Sequence, residues 1–266
     1  MQETILKIPD KQFDDLAEFD NAQTSLRLSA NAKNISKLKN LNIENLWLIG
    51  AKEKNLQTIL SLIQPKYLNL YYLPTSNLSF LETLDVTETI ILEWNTKATS
   101  LWDISKNTRL RNLKIIDFPK LNDISQISVA KQIDRFTLQG GINNRLSIQT
   151  LNPISVLTNL RYLRLANLKV FDDTLKYLSN LTSLKELSLS NQFETKEYAW
   201  LASRLPNVEC DMFQAIVKTN ITNINNETVW DTMVVGRRKP YLNSKIDKAK
   251  IDKYITDFEK LKRQLA

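Results

Sequence analysis

A chain of 266 residues with 42% hydrophobic and 24% charged side chains has the composition of an ordinary folded, water-soluble protein, and no apolar run reaches the roughly 18 residues of a membrane span. There is no histidine, which removes the commonest general base and the commonest transition-metal ligand. The only glycines (Gly50, Gly140, Gly141 and Gly236) form no phosphate-cradling loop, so no cofactor, no metal and no catalytic constellation is expected.

The first ten residues, MQETILKIPD, lack a basic segment followed by a long apolar one, and the single cysteine, Cys210, has no disulfide partner. Both point to a cytoplasmic protein. Residues 1–22 read as an N-terminal cap, with a short apolar stretch at Ile5, Leu6 and Ile8, then Pro9 and the acidic amphipathic segment FDDLAEF.

From there an apolar pair separated by one residue recurs along the chain. It appears at Leu26/Leu28, Leu46/Leu48, Leu68/Leu70, Ile90/Leu92 and Leu113/Ile115, then at Phe136/Leu138, Leu163/Leu165, Leu187/Leu189 and, more weakly, Val208/Cys210. Successive first members lie 20, 22, 22, 23, 23, 27, 24 and 21 residues apart. Leu84/Val86 also fits the pattern but would give intervals of 16 and 29, so Ile90/Leu92 is the better member. The longest interval contains Gly140-Gly141, where an irregular loop is expected. A strand points alternate side chains to opposite faces, so each pair marks a short strand with both members inward. The intervening text returns the chain, as in Asp172 to Asn180, where Leu175 and Leu178 have helical spacing.

Two segments, LRYLRL (Leu160 to Leu165) and LKELSL (Leu184 to Leu189), carry the L-x-x-L-x-L signature, and the chain resembles the leucine-rich-repeat family over about Thr24 to Asp211. The resemblance implies an α/β solenoid of about nine coils, residues 23–211, with a curved parallel sheet on the concave face. It also implies protein recognition on that face and brings no catalytic residue. Asn167 and Asn191 follow their strands as the family's asparagine ladder does, while the cysteine-rich caps of secreted members are missing.

Residues flanking each inward pair point away from the core. Those positions hold Trp47, Tyr67, Tyr71, Ile91, Lys114, Arg135, Tyr162 and Arg164, which form the expected partner-binding surface, since Trp, Tyr and Arg dominate binding hot spots. Cys210 falls at an inward position with no histidine to activate it, so a small buried hydrophobe is expected there rather than a nucleophile.

Residues 212–266 read as a C-terminal cap. Strands are expected over Met212 to Val217 and Thr228 to Val235, with an Asn/Thr-rich loop at Thr219 to Asn226 between them. A final amphipathic helix carries Ile246, Ile251, Tyr254, Ile255, Phe258, Leu261 and Leu265 on one stripe, with Asn243 or Ser244 as its cap. The formal charge of +7 belongs to this end: residues 237–266 hold ten Lys/Arg and four Asp/Glu, against 26 and 25 in the rest. The expected function is non-enzymatic binding of another protein, for instance a bacterial immunity-type or regulatory partnership. The alternative is association with nucleic acid through the basic tail, including Arg237-Arg238-Lys239.

Overall fold

The computed structural model describes residues 6–50 and 52–265, so Ile5 of the expected cap lies outside the described residues. In chain order the elements are β1 (Phe13–Asp15), β2 (Ser25–Lys33), β3 (Asn45–Ile49), α1 (Glu53–Leu62), β4 (Tyr67–Tyr71), β5 (Thr89–Glu93) and β6 (Asn112–Ile116). They continue as β7 (Arg135–Gln139), β8 (Leu146–Ile148), β9 (Tyr162–Ala166), β10 (Leu168–Val170), β11 (Glu186–Leu189) and α2 (Thr195–Arg204). The last are β12 (Ile216–Thr222), β13 (Thr228–Val234), β14 (Tyr241–Leu242) and α3 (Lys248–Gln264).

Nine strands form one parallel sheet in the order β1-β2-β3-β4-β5-β6-β7-β9-β11. The register from β2 to β11 is unbroken and sets like on like: Leu26, Leu46, Leu68, Ile90, Leu113, Phe136, Leu163 and Leu187 face one another in succession. The second members stack in the same way from Leu28 to Leu189, and all sixteen side chains are at most 7% exposed. Two columns of aliphatic groups thus run the length of the core, and each coil buries its apolar edge against the next.

Opposite the sheet, the chain returns mostly through short 3-10 turns. Among the described residues, full helices return the chain only at α1 and α2. These turns still bury at least one apolar residue each, including Leu38, Leu81, Ile104, Ile127, Ile154 and Leu178.

The ninth strand is not the expected one. Val208 and Cys210 do not form a strand; a single bridge, Glu186 to Glu209, is all that pairs there, and Asp211–Phe213 turns into a 3-10 helix. The sheet gains β1 at its other end instead, where Phe13, Leu16 and Phe19 of FDDLAEF are buried and cover the first coil. The Gly140-Gly141 insertion builds β8, which pairs with β10 in a separate two-stranded sheet. Gly140 is needed there because a Cβ would collide with the Asn167 carbonyl.

The C-terminal region also departs from expectation. Met212 lies in the 3-10 turn, and the strand starts later and runs through Thr219 and Asn220 as β12, paired antiparallel with β13. Thr suits a pleated strand, so the Asn/Thr-rich loop shrinks to a tight turn in which the Asn223 carboxamide oxygen accepts from the Asn225 and Glu227 amides. This sheet is tied to the last coil by Asn191, which donates to the Val234 carbonyl at 2.9 Å and accepts from the Gly236 amide at 2.6 Å. The α3 helix buries Ile251 and Phe258, with Tyr254 and Leu261 half-buried beside them. Ile246, 81% exposed, precedes the helix, and Ile255 is 40% exposed, so the apolar stripe is narrower than its spacing suggests. Asn243 and Ser244 do not cap it. Asp247 occupies that position, while Asn243 holds the Val229 carbonyl and Ser244 donates to Asp231. Among the described residues no helix is long and apolar enough to cross a membrane.

Candidate functional site: the open face of the sheet

The face of the sheet turned away from the core carries three rows of side chains, fixed by the strand register. The middle row runs Arg27, Trp47, Asn69, Ile91, Lys114, Thr137, Arg164. On one side of it lies the row containing Tyr67, Arg135 and Tyr162, and on the other the row containing Ile49, Tyr71 and Glu93. All eight expected partner-binding residues therefore share this face.

Their exposure is not what alternation alone suggests. Trp47 is 3% exposed and Ile91 7%, although neither belongs to the core formed by the inward columns. The reason is steric. Strands about 4.8 Å apart crowd large side chains on one face, so the rings lie down on their neighbours. Trp47 packs against Tyr67 with ring centroids 4.9 Å apart, and Asn69 and Thr137 are buried in the same row. Tyr71 alone of the eight is classed as exposed, at 44%.

Farther along, Arg135 stacks over the Tyr162 ring at 4.3 Å. Arg164 is held between Gln139, 3.1 Å from its Nε, and the Ser188 hydroxyl, 2.9 Å from its Nη1. These contacts fix both guanidinium planes. From β2 to β9 the three rows present four cations (Arg27, Lys114, Arg135, Arg164) and one carboxylate, Glu93. Beyond β9 the sign reverses at Glu186, Glu209 and Asp211.

Two residues of this region are not found by alternation. Tyr72 and Trp94 follow β4 and β5 directly, with φ of 61° and 60°. Gly50, Asp117 and Asn167 take the same left-handed conformation after their own strands. Glycine, aspartate and asparagine are the residues that accept it, whereas a bulky aromatic there is strained. Each still continues the sheet, with the Tyr72 amide donating to the Glu93 carbonyl and the Trp94 amide to the Ile116 carbonyl, both at 2.9 Å. Their rings meet at 4.5 Å between centroids, and Trp94 lies 5.8 Å from Tyr71. Tyr71, Tyr72 and Trp94 are 44%, 37% and 40% exposed, so three aromatic rings stand in solvent at one edge of the face. The signal available in the sequence was an aromatic residue where the neighbouring coils place Gly50 and Asp117. Asn95, next in line, is buried, donating to the Thr75 carbonyl and accepting from the Lys97 and Ala98 amides.

One parallel strand per 20–27 residues, two buried columns and a left-handed exit after successive strands settle the architecture. The fold is a leucine-rich-repeat solenoid. No family model and no curated protein matches the chain. Among solved structures it is similar to an internalin (inlF) of Listeria monocytogenes, at 20% identity and a TM-score of 0.49, over 76% of this chain and 56% of that one. It is also similar to internalin C2 of the same organism (17% identity, TM-score 0.39, 64% and 78% covered). A leucine-rich-repeat protein of Leptospira interrogans matches at 17% identity and a TM-score of 0.45, with 75% and 61% covered. The chain thus spans little more than half the length of the inlF structure.

Elsewhere, the Cys210 thiol is half-buried and pushed up to about 12 by that burial, so it stays protonated near neutrality. In the basic run, Arg237 is engaged by Asp173 at 2.7 Å and Glu194 at 2.8 Å. One of the three cations available for phosphates is thereby committed to joining the C-terminal sheet to the solenoid.

Proposed function

We propose that this chain is a non-enzymatic protein-binding module that takes its partner on the open face of the sheet. Trp47, Tyr67, Tyr71 and Ile91 are its apolar centre, and Lys114, Arg135, Tyr162 and Arg164 extend the surface along adjacent strands. In this reading residues 23–211 are the binding solenoid, and residues 1–22 and 212–266 are the caps that close its two ends. The observation that carries it is the exposed cluster of Tyr71, Tyr72 and Trp94 beside the groove floored by Trp47. Strained backbone concentrates at binding sites, and adjacent solvent-facing aromatics are the residues from which hot spots are made.

The test is affinity capture with the full chain from its native source, run in parallel with Tyr71→Ala and Trp94→Ala. A genuine partner binds the parent and is weakened about 30-fold or more by Tyr71→Ala, the ratio that about 2 kcal/mol corresponds to, while the variant melts as the parent does. Equal capture by parent and variants removes the site from this face. Retention on DNA or RNA that collapses with added salt would favour the basic tail instead.

A further inference from the structure

Trp47 and Arg27 are direct cross-strand partners on β3 and β2. Trp47 is 97% buried, by its 3% exposure, and its indole Nε1–H has no acceptor. The Arg27 Nε–H is likewise buried and unpaired, and no carboxylate among the described residues forms an ion pair with its guanidinium. Buried donors are almost always bonded, so two unpaired ones on adjacent strands call for an explanation. Arg27 and Trp47 both line a groove of about 400 Å³ whose other walls mix the apolar Ile8, Ile49 and Tyr71 with polar side chains, Glu93 among them.

We propose that this groove is a subsite for an acidic side chain next to an apolar one, in an extended segment of the partner protein. The inference rests on the open-face reading above and names its ligand chemistry. The Arg27 guanidinium, which has no carboxylate partner among the described residues, is the cation that a carboxylate entering the groove would pair with, a pairing that charge makes strong. The volume beside it accepts one aliphatic or aromatic side chain. Glu93, on the far wall, already takes a hydrogen bond from the Asn69 amide at 2.7 Å and repels a second carboxylate, so the acid binds at the β2 end and the apolar residue beside it. The four cations on the face attract an acidic segment from a distance and orient it before contact.

The experiment screens the folded full chain against a displayed library of random peptides. Enriched sequences are then synthesised, and their affinities are measured by fluorescence anisotropy on the parent, Arg27→Gln, Arg27→Lys and Tyr71→Ala proteins. Enrichment of an acidic residue beside an apolar one is expected. Replacing that acid by its amide, and Arg27→Gln, should each weaken binding at least about tenfold without adding when combined. Arg27→Lys, which keeps the charge and loses the planar guanidinium fork, should recover only part. Peptides lost with Tyr71→Ala but indifferent to Arg27→Gln would overturn the carboxylate subsite and leave the binding face standing. Peptides indifferent to both would overturn both. Loss on amidating the peptide C-terminus, with the acidic side chain dispensable, would overturn the side-chain assignment, and so would enrichment of no peptide at all.

Discussion

Trp47→Phe separates what the fold needs at this position from what a partner needs. Fully burying a tryptophan removes about 200 Å² from water, worth roughly 5 kcal/mol at about 25 cal/mol per Å². Replacing indole by phenyl gives up about a quarter of that area, a loss of roughly 1 kcal/mol. It also deletes the indole Nε1–H, which is buried without an acceptor, and an unsatisfied buried donor costs about 1–3 kcal/mol. The two effects nearly cancel, so Trp47→Phe should unfold within about 1 kcal/mol of the parent in urea, with an unchanged slope. Trp47→Ala forfeits the whole ring and should lose roughly 2–4 kcal/mol after the same relief. Trp47 is therefore no neutral surface residue, and a binding loss in Trp47→Ala alone would be uninterpretable. If Trp47→Phe proves as damaging as Trp47→Ala, the indole nitrogen is satisfied and packing alone decides the position. Destabilisation beyond about 2 kcal/mol refutes the reasoning.

In the regular half of the solenoid, Leu163→Ala and Leu187→Ala each empty a fully buried column and should cost about 2–5 kcal/mol by denaturant unfolding. Removing residues 244–266 strips Ile251 and Phe258 from the C-terminal end, and the truncated chain should aggregate or lose cooperative unfolding, as seen by light scattering and calorimetry. The Arg237 guanidinium holds the Glu194 carboxyl below its ordinary value of 4.5. A depressed carboxylate stabilises above its unfolded value and loses that contribution as pH falls through the folded one, so hydrogen exchange in β12–β13 should accelerate below about pH 4.5 in the parent. Arg237→Gln should weaken that dependence, leaving the part that Asp231, held down by its hydrogen bond from Ser244, contributes at lower pH.

The strand pairs were legible because alternation and near-constant spacing constrain one another. Leu84/Val86 satisfies the motif locally, yet spacing selects Ile90/Leu92, and Leu84 lies at the end of a 3-10 turn, buried all the same. The end coils were less legible. FDDLAEF reads only as an amphipathic segment of the cap, and nothing in its spacing separates the three-residue strand from the 3-10 turn that the chain makes there. The open face was readable as a set of positions and not as an exposed surface. Alternation says which way Trp47 and Ile91 point, but their burial depends on neighbours one coil away in each direction. Tyr72 and Trp94 lie where alternation stops, and their backbone conformation leaves no periodic mark.

The departures from local rules are concentrated on a few coils. Leu163, Leu165, Leu187 and Leu189 obey the motif, and α2, β12 and α3 close the array beyond them by ordinary packing. Between β2 and β6, by contrast, aromatics occupy left-handed positions, two buried donors lack acceptors and an indole lies on the open face. The rings pack on neighbouring coils, yet the left-handed aromatic backbone and the unpaired donors are themselves unfavourable. A fold keeps unfavourable local features where a gain elsewhere offsets them, and binding is the gain available to an open sheet face. Under the binding proposal, the early repeats look degenerate as repeats because their sequence answers to two demands, the core on one side of each strand and a partner on the other.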